Sequence, residues 1–375
     1  MLQATLLTLS WVLILATALP FIKHEAWWIR LFDFPRSQIT ALAVVLMLTL
    51  FFRYENGPWQ GATLSLLLAC TAYQLWQLSA YTPLRRVQSL PRTDDDPDRK
   101  LSVLAANVLM TNRNVKQYLD MIKREEPDLI VLAEPDTYWE HCLRSIEEEY
   151  AYTIKCPLGN TYGMLFYSRL PISEPRVRFR VQQDVPSFTC LVRLRTGDEF
   201  ELHCIHPRPP HVGVDTVERD AELVLVANEV KDQPYPVIVT GDLNDVAWSH
   251  TTRLFLRISG LLDPRVGRGL CNTFHASHPL FRWPLDHLFH TRAFRLIRMV
   301  RLEKTESDHF PVLIELNFEP EIRKEQERPE ADAGRPCRGP RENRNGRREI
   351  GITPRGGMID PGNSGVTPNT TSVHT

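Results

Sequence analysis

The sequence predicts a layered α/β domain with much antiparallel strand pairing, preceded by three membrane-spanning helices and followed by a polar tail. Three observations carry this reading. Residues 1–84 contain three long uncharged apolar runs; residues 101–318 alternate short Val/Ile/Leu-rich runs with helical patterns; and the chain beyond 319 becomes charged, then rich in Gly, Pro, Asn, Ser and Thr, with almost no aromatic residues. The whole-chain averages conceal this organisation. Of 375 residues, 43% are hydrophobic and 24% charged, as in an ordinary soluble protein. Lys+Arg (44) and Asp+Glu (45) nearly cancel, which excludes a nucleic-acid binder held by net charge alone and an acidic, fully disordered chain. The 28 prolines against 18 glycines exclude collagen and coiled coil, and seven cysteines are too sparse for a disulfide scaffold.

The apolar runs come first. Residues 1–22 carry no charge, residues 37–52 lie between Arg36 and Arg53, and residues 57–84 hold Trp59, Trp76 and Tyr81 near their ends. A helix needs about 20 apolar residues to cross the hydrocarbon core. The expected spans are therefore 4–22, 37–53 and 58–82, the second being short enough that its flanking arginines must snorkel. A cleaved signal peptide is the competing reading for the first run, supported by Ala16-Thr17-Ala18. Against it stand the lack of Lys or Arg before the run and the two further runs. Lys23, Arg30 and Arg36 in the first loop, and Arg85, Arg86, Arg92, Arg99 and Lys100 after the third run, mark one side as basic. The positive-inside rule then gives a multi-pass protein of the cell membrane, with its amino terminus outside and its main domain in the cytoplasm. Unpaired cysteines agree with that compartment.

Residues 85–100 are polar and proline-bearing and read as a linker. The domain, 101–318, is long enough for one large core. Strands are expected at 101–108, 128–133, 163–167, 188–194, 199–205, 237–240, 285–289 and 310–316, and helices at 115–124, 138–148 and 215–230. Gly197-Asp198 between two strand-like stretches reads as a hairpin turn. The mixture, with strands in excess, gives layers with antiparallel pairing. Residues 319–375 bury too little apolar area to offset their ordering entropy and are expected to be disordered.

The chemistry lies where the apolar runs stop. Successive runs end in Asn107, Glu134, His206 with Pro207, Asp242-Leu243-Asn244, and Asp286-His287, while Ser307-Asp308-His309 immediately precedes the last run. Taken singly, an Asn or Asp after a strand is a turn former, a Glu a solvated strand end, and a His a structural hydrogen-bonding residue. Taken together they deliver carboxylates, amides and imidazoles to strand ends, and such ends often converge on one edge of a sheet. Carboxylate and amide oxygens suit Mg²⁺ or Mn²⁺, and an Asp beside a His fixes the imidazole tautomer.

This ordered set resembles the endonuclease/exonuclease/phosphatase family, which includes pancreatic-type DNases, abasic-site endonucleases, inositol polyphosphate phosphatases and neutral sphingomyelinases. The matching pieces are Asn107, Glu134 in Ile-Val-Leu-Ala-Glu, His206-Pro207, Gly241-Asp242-Leu243-Asn244, Leu285-Asp286-His287 and Ser307-Asp308-His309. The resemblance implies a four-layer αββα sandwich of the DNase I type, with the site at one end of two packed sheets. It implies hydrolysis of a phosphoester by an in-line water, with Mg²⁺ (or Mn²⁺) as cofactor. Glu134 would be the main metal ligand, with Asn107 and Asp308 close to the ion. Asp242 would orient or deprotonate water, Asn244 and His309 would contact the phosphate, Asp286 would orient His309, and His206 would protonate the leaving group.

Two departures stand out: Ala133 replaces a Gln common before the metal Glu, and Leu109 stands where many nucleases carry an acid. Tyr162 either lines the cleft or packs. Arginines at 176, 178, 180, 193 and 195, and from 265 to 301, either form a binding face for a phosphate-bearing substrate or a solvated surface. The substrate is therefore open between nucleic acid, a phospholipid headgroup and a small phosphate. Three functions follow: a membrane-anchored Mg²⁺-dependent phosphodiesterase or phosphatase, a membrane-tethered nuclease, or an inactive relative acting as a membrane binding protein. The lipid bilayer is an expected partner, and no obligate protein partner is inferred.

Overall fold

The computed structural model describes residues 1–53 and 57–327. From Lys100 onward the apolar runs form two sheets. The first is six-stranded, in the order β10-β11-β1-β2-β4-β3, from β1 (Lys100–Asn107), β2 (Leu129–Ala133), β3 (Tyr152–Cys156), β4 (Met164–Ser168), β10 (Phe294–Arg301) and β11 (Val312–Phe318). The second is five-stranded, in the order β5-β6-β7-β8-β9, from β5 (Ile172–Arg178), β6 (Ser187–Arg193), β7 (Glu199–Cys204), β8 (Val237–Asp242) and β9 (Asp286–His290). Only β1–β2 and β7–β8 pair in parallel; the remaining neighbours are antiparallel.

Strand side chains alternate between faces, and here both faces are dry. In β1, Leu101 and Val103 enter the core between the sheets with Phe166, Phe188, Phe200 and Leu288. Leu104 and Ala106 point the other way, against Tyr118 and Met121 of helix α5 (Val115–Glu125) and Trp139 of α6 (Thr137–Leu143). On the far side Val237 and Val239 meet Leu223 and Val226 of α7 (Val217–Lys231) and Phe255 of α8 (His250–Ser259). The layers are thus helix, sheet, sheet, helix, as expected. Each buried Leu, Phe or Val contributes about 1.5–3 kcal/mol of transfer free energy.

The ends of the domain differ from expectation. Residues 85–100, read as a linker, lie on the domain: His290 shares a hydrogen bond with Ser89 (2.9 Å), and Leu90 N–H donates to Gln326 (2.7 Å). Residues 319–327, read as the start of the tail, close the same edge, with Gln326 donating to the carbonyls of Arg292 and Phe294. The rest of the expected tail lies outside the described residues.

The described residues before 80 form helices α1 (Leu2–Ala18), α2 (Trp27–Arg30), α3 (Arg36–Phe52) and α4 (Pro58–Ser79). The expectation of three spanning helices needs correction. Among the described residues one helix, Leu2–Ile22 with mean hydropathy 2.1, is long and apolar enough to cross a membrane; a signal sequence meets the same criterion. The second expected span is a pair, Trp27–Asp33 and Arg36–Phe52, bent by 71°, which counts at most as one broken span. The third fails because Gln60, Gln74 and Gln77 are uncharged yet polar, and a multi-pass arrangement of three independent spans therefore does not hold.

These polar residues point inward. Gln60, Thr63, Gln74 and Gln77 are buried, as are Ser10 of α1 and Thr40 of α3, whereas Trp11, Val12, Leu15, Leu42, Val45, Leu68 and Leu75 face outward. The near end of this helical unit docks on the domain. Trp248 Nε1 donates to Asp33 O (2.6 Å), Tyr81 Oη to Ala247 O (2.7 Å), and Trp27 N–H to Asp215 Oδ1 (3.0 Å). The first loop and the domain thus lie at the same end of the helices.

Candidate active site

Six chain segments bring their polar ends to one end of the sandwich. Asn107 closes β1, Glu134 follows β2, His206 follows β7, Asp242 closes β8, Asp286 opens β9, and 307–309 lead into β11. Asp242 and Asp286 are register partners across β8 and β9. Backbone conformation sharpens the placement: Glu134 (φ 65°) and Asn244 (φ 52°) hold left-handed backbones, uncommon outside glycine and clustered at functional sites. Gly241 at φ 141° is required, since a Cβ there would lie 2.0 Å from the Ile205 carbonyl oxygen.

Asp242 Oδ2 is the hub. It accepts from Asn107 Nδ2 (3.1 Å) and lies 3.5 Å from His309 Nε2 and 3.9 Å from His206 Nε2. His309 Nδ1 is 2.7 Å from Asp286 Oδ2. Burial opposes a charge on His309, but Asp286, Asp242 and Asp308 outweigh it and hold the imidazole up at about 10. His206 is 1% exposed, its Nδ1 has no partner, and burial lowers its pKa despite Asp242. It therefore sits in the site as a neutral imidazole.

Asn107 donates from the same amide nitrogen to Glu134 Oε1 (2.7 Å), so it spaces two carboxylates, and its Oδ1 accepts from Leu109 N–H (3.0 Å). Burial pushes Glu134 up to about 7, with the Asp242 and Asp308 charges adding to it. Among the described residues, one group of His and acids has ligand atoms mutually within 4.8 Å: Asp242, Asp286 and His309. That trio already contains its own cation, the imidazolium. Glu134 is hydrogen-bonded by Asn107 rather than by a cation, and the charges of Asp242 and half-buried Asp308 act on it. Carboxylate oxygens suit a hard divalent cation. Glu134, with the Asn107 amide 2.7 Å away, thus offers the kind of oxygen donor that such a cation takes.

One expected residue is partly committed elsewhere, and one motif neighbour turns away. Asn244 Nδ2 donates to Pro207 O (3.0 Å), tying the two loops together. His287 does not face the site: its Nε2 donates to Asp245 O (2.9 Å) and its Nδ1 accepts from Arg265. Tyr162 does line the cleft, with its ring 5.7 Å from His206 and the Arg208 guanidinium 5.1 Å above it. Sequence reasoning missed the segment 273–283. Asp286 N–H donates to Thr273 Oγ1 (3.2 Å), Phe274 lies 5.0 Å from the His309 ring, and Ala276 N–H donates to Asp308 O (2.7 Å). Ser307 Oγ, part of the Ser-Asp-His motif, accepts from His309 N–H (3.0 Å) and donates to Asn107 O (2.8 Å), tying the 307–309 segment to the end of β1.

This geometry has counterparts. The model of the Endonuclease/Exonuclease/phosphatase family matches residues 104–309, and the chain belongs to that family. A UPF0294 protein of Vibrio cholerae serotype O1 is 26% identical over 243 residues, which is 58% of this chain and 78% of that protein. Among solved structures, a humanized D. rerio TDP2 carrying 14 mutations overlays with TM-score 0.51 at 19% identity, covering 58% of this chain and 99% of that one. The human Nocturnin catalytic domain with bound sulfate overlays with TM-score 0.50 at 16% identity, covering 63% and 99%. These two likenesses show a shared fold.

Proposed function

We propose that this protein is a membrane-attached, Mg²⁺-dependent phosphoester hydrolase. The observation that carries the reading is the convergence on Asp242 of Asn107, His206 and His309, with Asp286 behind His309. Glu134, with Asn107 and Asp308, would hold the Mg²⁺, which when bound would supply charge neutralisation for the phosphate and the leaving oxygen. Asp242, buried and within reach of the cleft, orients and deprotonates the attacking water. His309, kept protonated by Asp286, donates to a phosphate oxygen as charge builds there. Asn244 offers the remaining amide hydrogen to the same group. His206, neutral in the resting site, takes the proton that Asp242, 3.9 Å from its Nε2, has removed from the attacking water and passes it to the leaving oxygen. Leu2–Ile22 attaches the chain to the bilayer, and the loop after it holds the domain against the membrane.

The nuclease alternative loses support from the arginines. Arg176, Arg178, Arg180, Arg193 and Arg195 each pair with an acid: Glu174, Glu229, Glu229, Glu199 and Asp128. Paired surface arginines leave little charge for a phosphate backbone.

The test is hydrolysis of a generic phosphodiester by the purified full chain with Mg²⁺, beside Glu134→Ala and His309→Ala. The reading requires loss in both variants; equal rates in all three would refute it. Single- and double-stranded DNA, RNA, sphingomyelin vesicles and inositol phosphates then rank the substrates.

A further inference from the structure

The catalytic end of the sandwich is the end that docks on the helical unit. β8 runs into Asp242, and six residues later Trp248 reaches Asp33 in the helical loop. The same holds for the segment 273–283, a bent hairpin closed by an isolated bridge between Phe274 and Trp283. Its base touches the catalytic residues through the Thr273, Phe274 and Ala276 contacts. Its Trp283 packs edge-on against Phe34 of the helical loop (5.8 Å). Its tip reaches α3, where Gln38 Nε2 in the first turn donates to Leu280 O (2.6 Å). At that tip Leu280 is 78% and Phe281 56% exposed. Two large apolar side chains, each more than half exposed, therefore sit level with the start of α3, whose Leu42 and Val45 also face outward.

We propose that the 278–281 tip inserts into the bilayer surface beside α3, so that the cleft receives its phosphoester from a lipid headgroup. The inference rests on the membrane attachment and the hydrolase reading above. The occupant follows from continuity: the exposed tip is hydrogen-bonded to the end of a helix whose outer face is apolar, and an amphipathic surface of this kind belongs at the headgroup boundary. Because the base of the hairpin holds Asp286 and packs on His309, seating the tip places the hydrolytic residues at headgroup depth. Arg282 keeps the hairpin closed by donating to the carbonyls of His275 (3.3 Å) and Ala276 (3.0 Å), so the tip is presented as a unit.

The experiment uses the full chain in vesicles of phosphatidylcholine, phosphatidylglycerol and sphingomyelin doped with a photoactivatable diazirine lipid, with crosslinks located by mass spectrometry. Crosslinks on 278–281 as well as on α1 are expected. Crosslinks on α1 with none on 278–281 overturn this proposal and leave membrane attachment standing; none on either overturns the attachment reading itself. A kinetic arm compares wild type with a Leu280→Asp/Phe281→Asp double variant on the vesicle lipids and on a water-soluble phosphodiester. The expected result is a loss of about tenfold or more on vesicle lipids, from the forfeited apolar insertion, with the soluble rate unchanged. Equal losses on both substrates, or a wild type active only on the soluble one, overturn the lipid-substrate inference. A wild type inactive on both overturns the hydrolase reading instead.

Discussion

His309 Nδ1 lies 2.7 Å from Asp286 Oδ2, and the ring's other nitrogen lies 3.5 Å from Asp242. The imidazolium is thus held between two buried carboxylates on register-paired strands. The site is arranged around this ion pair, and its energetics can be measured by changing one atom at a time.

Asp286→Asn keeps the shape and removes the charge. On a phosphodiester, kcat should fall about 10²–10⁴-fold with little change in KM, because the charged form of His309 is used at the transition state. The effect on stability has a definite sign. His309 in the native state titrates near 10 against 6.5 for an ordinary imidazole, so the pair's contribution is complete below about 6.5 and is lost as pH rises toward 10. Urea unfolding at a series of pH values should show the variant's deficit largest near pH 6.5 and shrinking in alkali. A deficit that does not vary with pH would contradict the pairing.

Mg²⁺ should stabilise the native chain and release protons on binding. Glu134 sits near 7 in the metal-free site, so at pH 6 to 7 a bound cation must displace a proton from it. Calorimetry in buffers of different ionisation enthalpy measures that proton. Thermal melts should rise with Mg²⁺, by the equivalent of about 2.7 kcal/mol at a hundredfold excess over Kd. Glu134→Gln should abolish both effects.

Gly241→Ala should destabilise the domain by about 3 kcal/mol or more, since the new Cβ meets the Ile205 carbonyl oxygen and the backbone is left-handed. Chemical denaturation checks this. An Ala variant as stable as wild type would mean that the β8 terminus has a different backbone.

Trp248→Phe removes the hydrogen bond to the Asp33 carbonyl and leaves that oxygen buried without its donor. A cost of about 1–3 kcal/mol follows. Hydrogen exchange should quicken in residues 26–36 while the sheets remain protected, because the loss falls at the junction between the helical unit and the domain.

Much of this was legible from residue order. Strand ends announce themselves when an apolar run stops at Asn107, Glu134 or Asp242, because burial forces the pattern on both faces. The edge strands β3, β5 and β10 escaped, since Ile-Ser-Glu-Pro-Arg-Val-Arg and Phe-Arg-Leu-Ile-Arg-Met-Val-Arg mix charge into half-exposed faces. Helix α8 also escaped, although Ser249 caps it by accepting from Thr252 N–H and Gly260 ends it at φ 69°. The span count failed because absence of charge was read as apolarity, and Gln60, Gln74 and Gln77 satisfy the first without the second. The hairpin at 273–283 has no periodicity at all; its role comes from contacts between residues distant in sequence, which no local pattern encodes.

The most direct test of the account is hydrolysis of a phosphodiester in ¹⁸O-labelled water by wild type and Asp242→Asn, with products analysed by mass spectrometry. Water activated beside Asp242 for in-line attack predicts one ¹⁸O in the phosphate product and none in the alcohol, with the Asp242→Asn rate reduced by about 10²–10⁴-fold. Label in the alcohol, or an unchanged rate in Asp242→Asn, would contradict it.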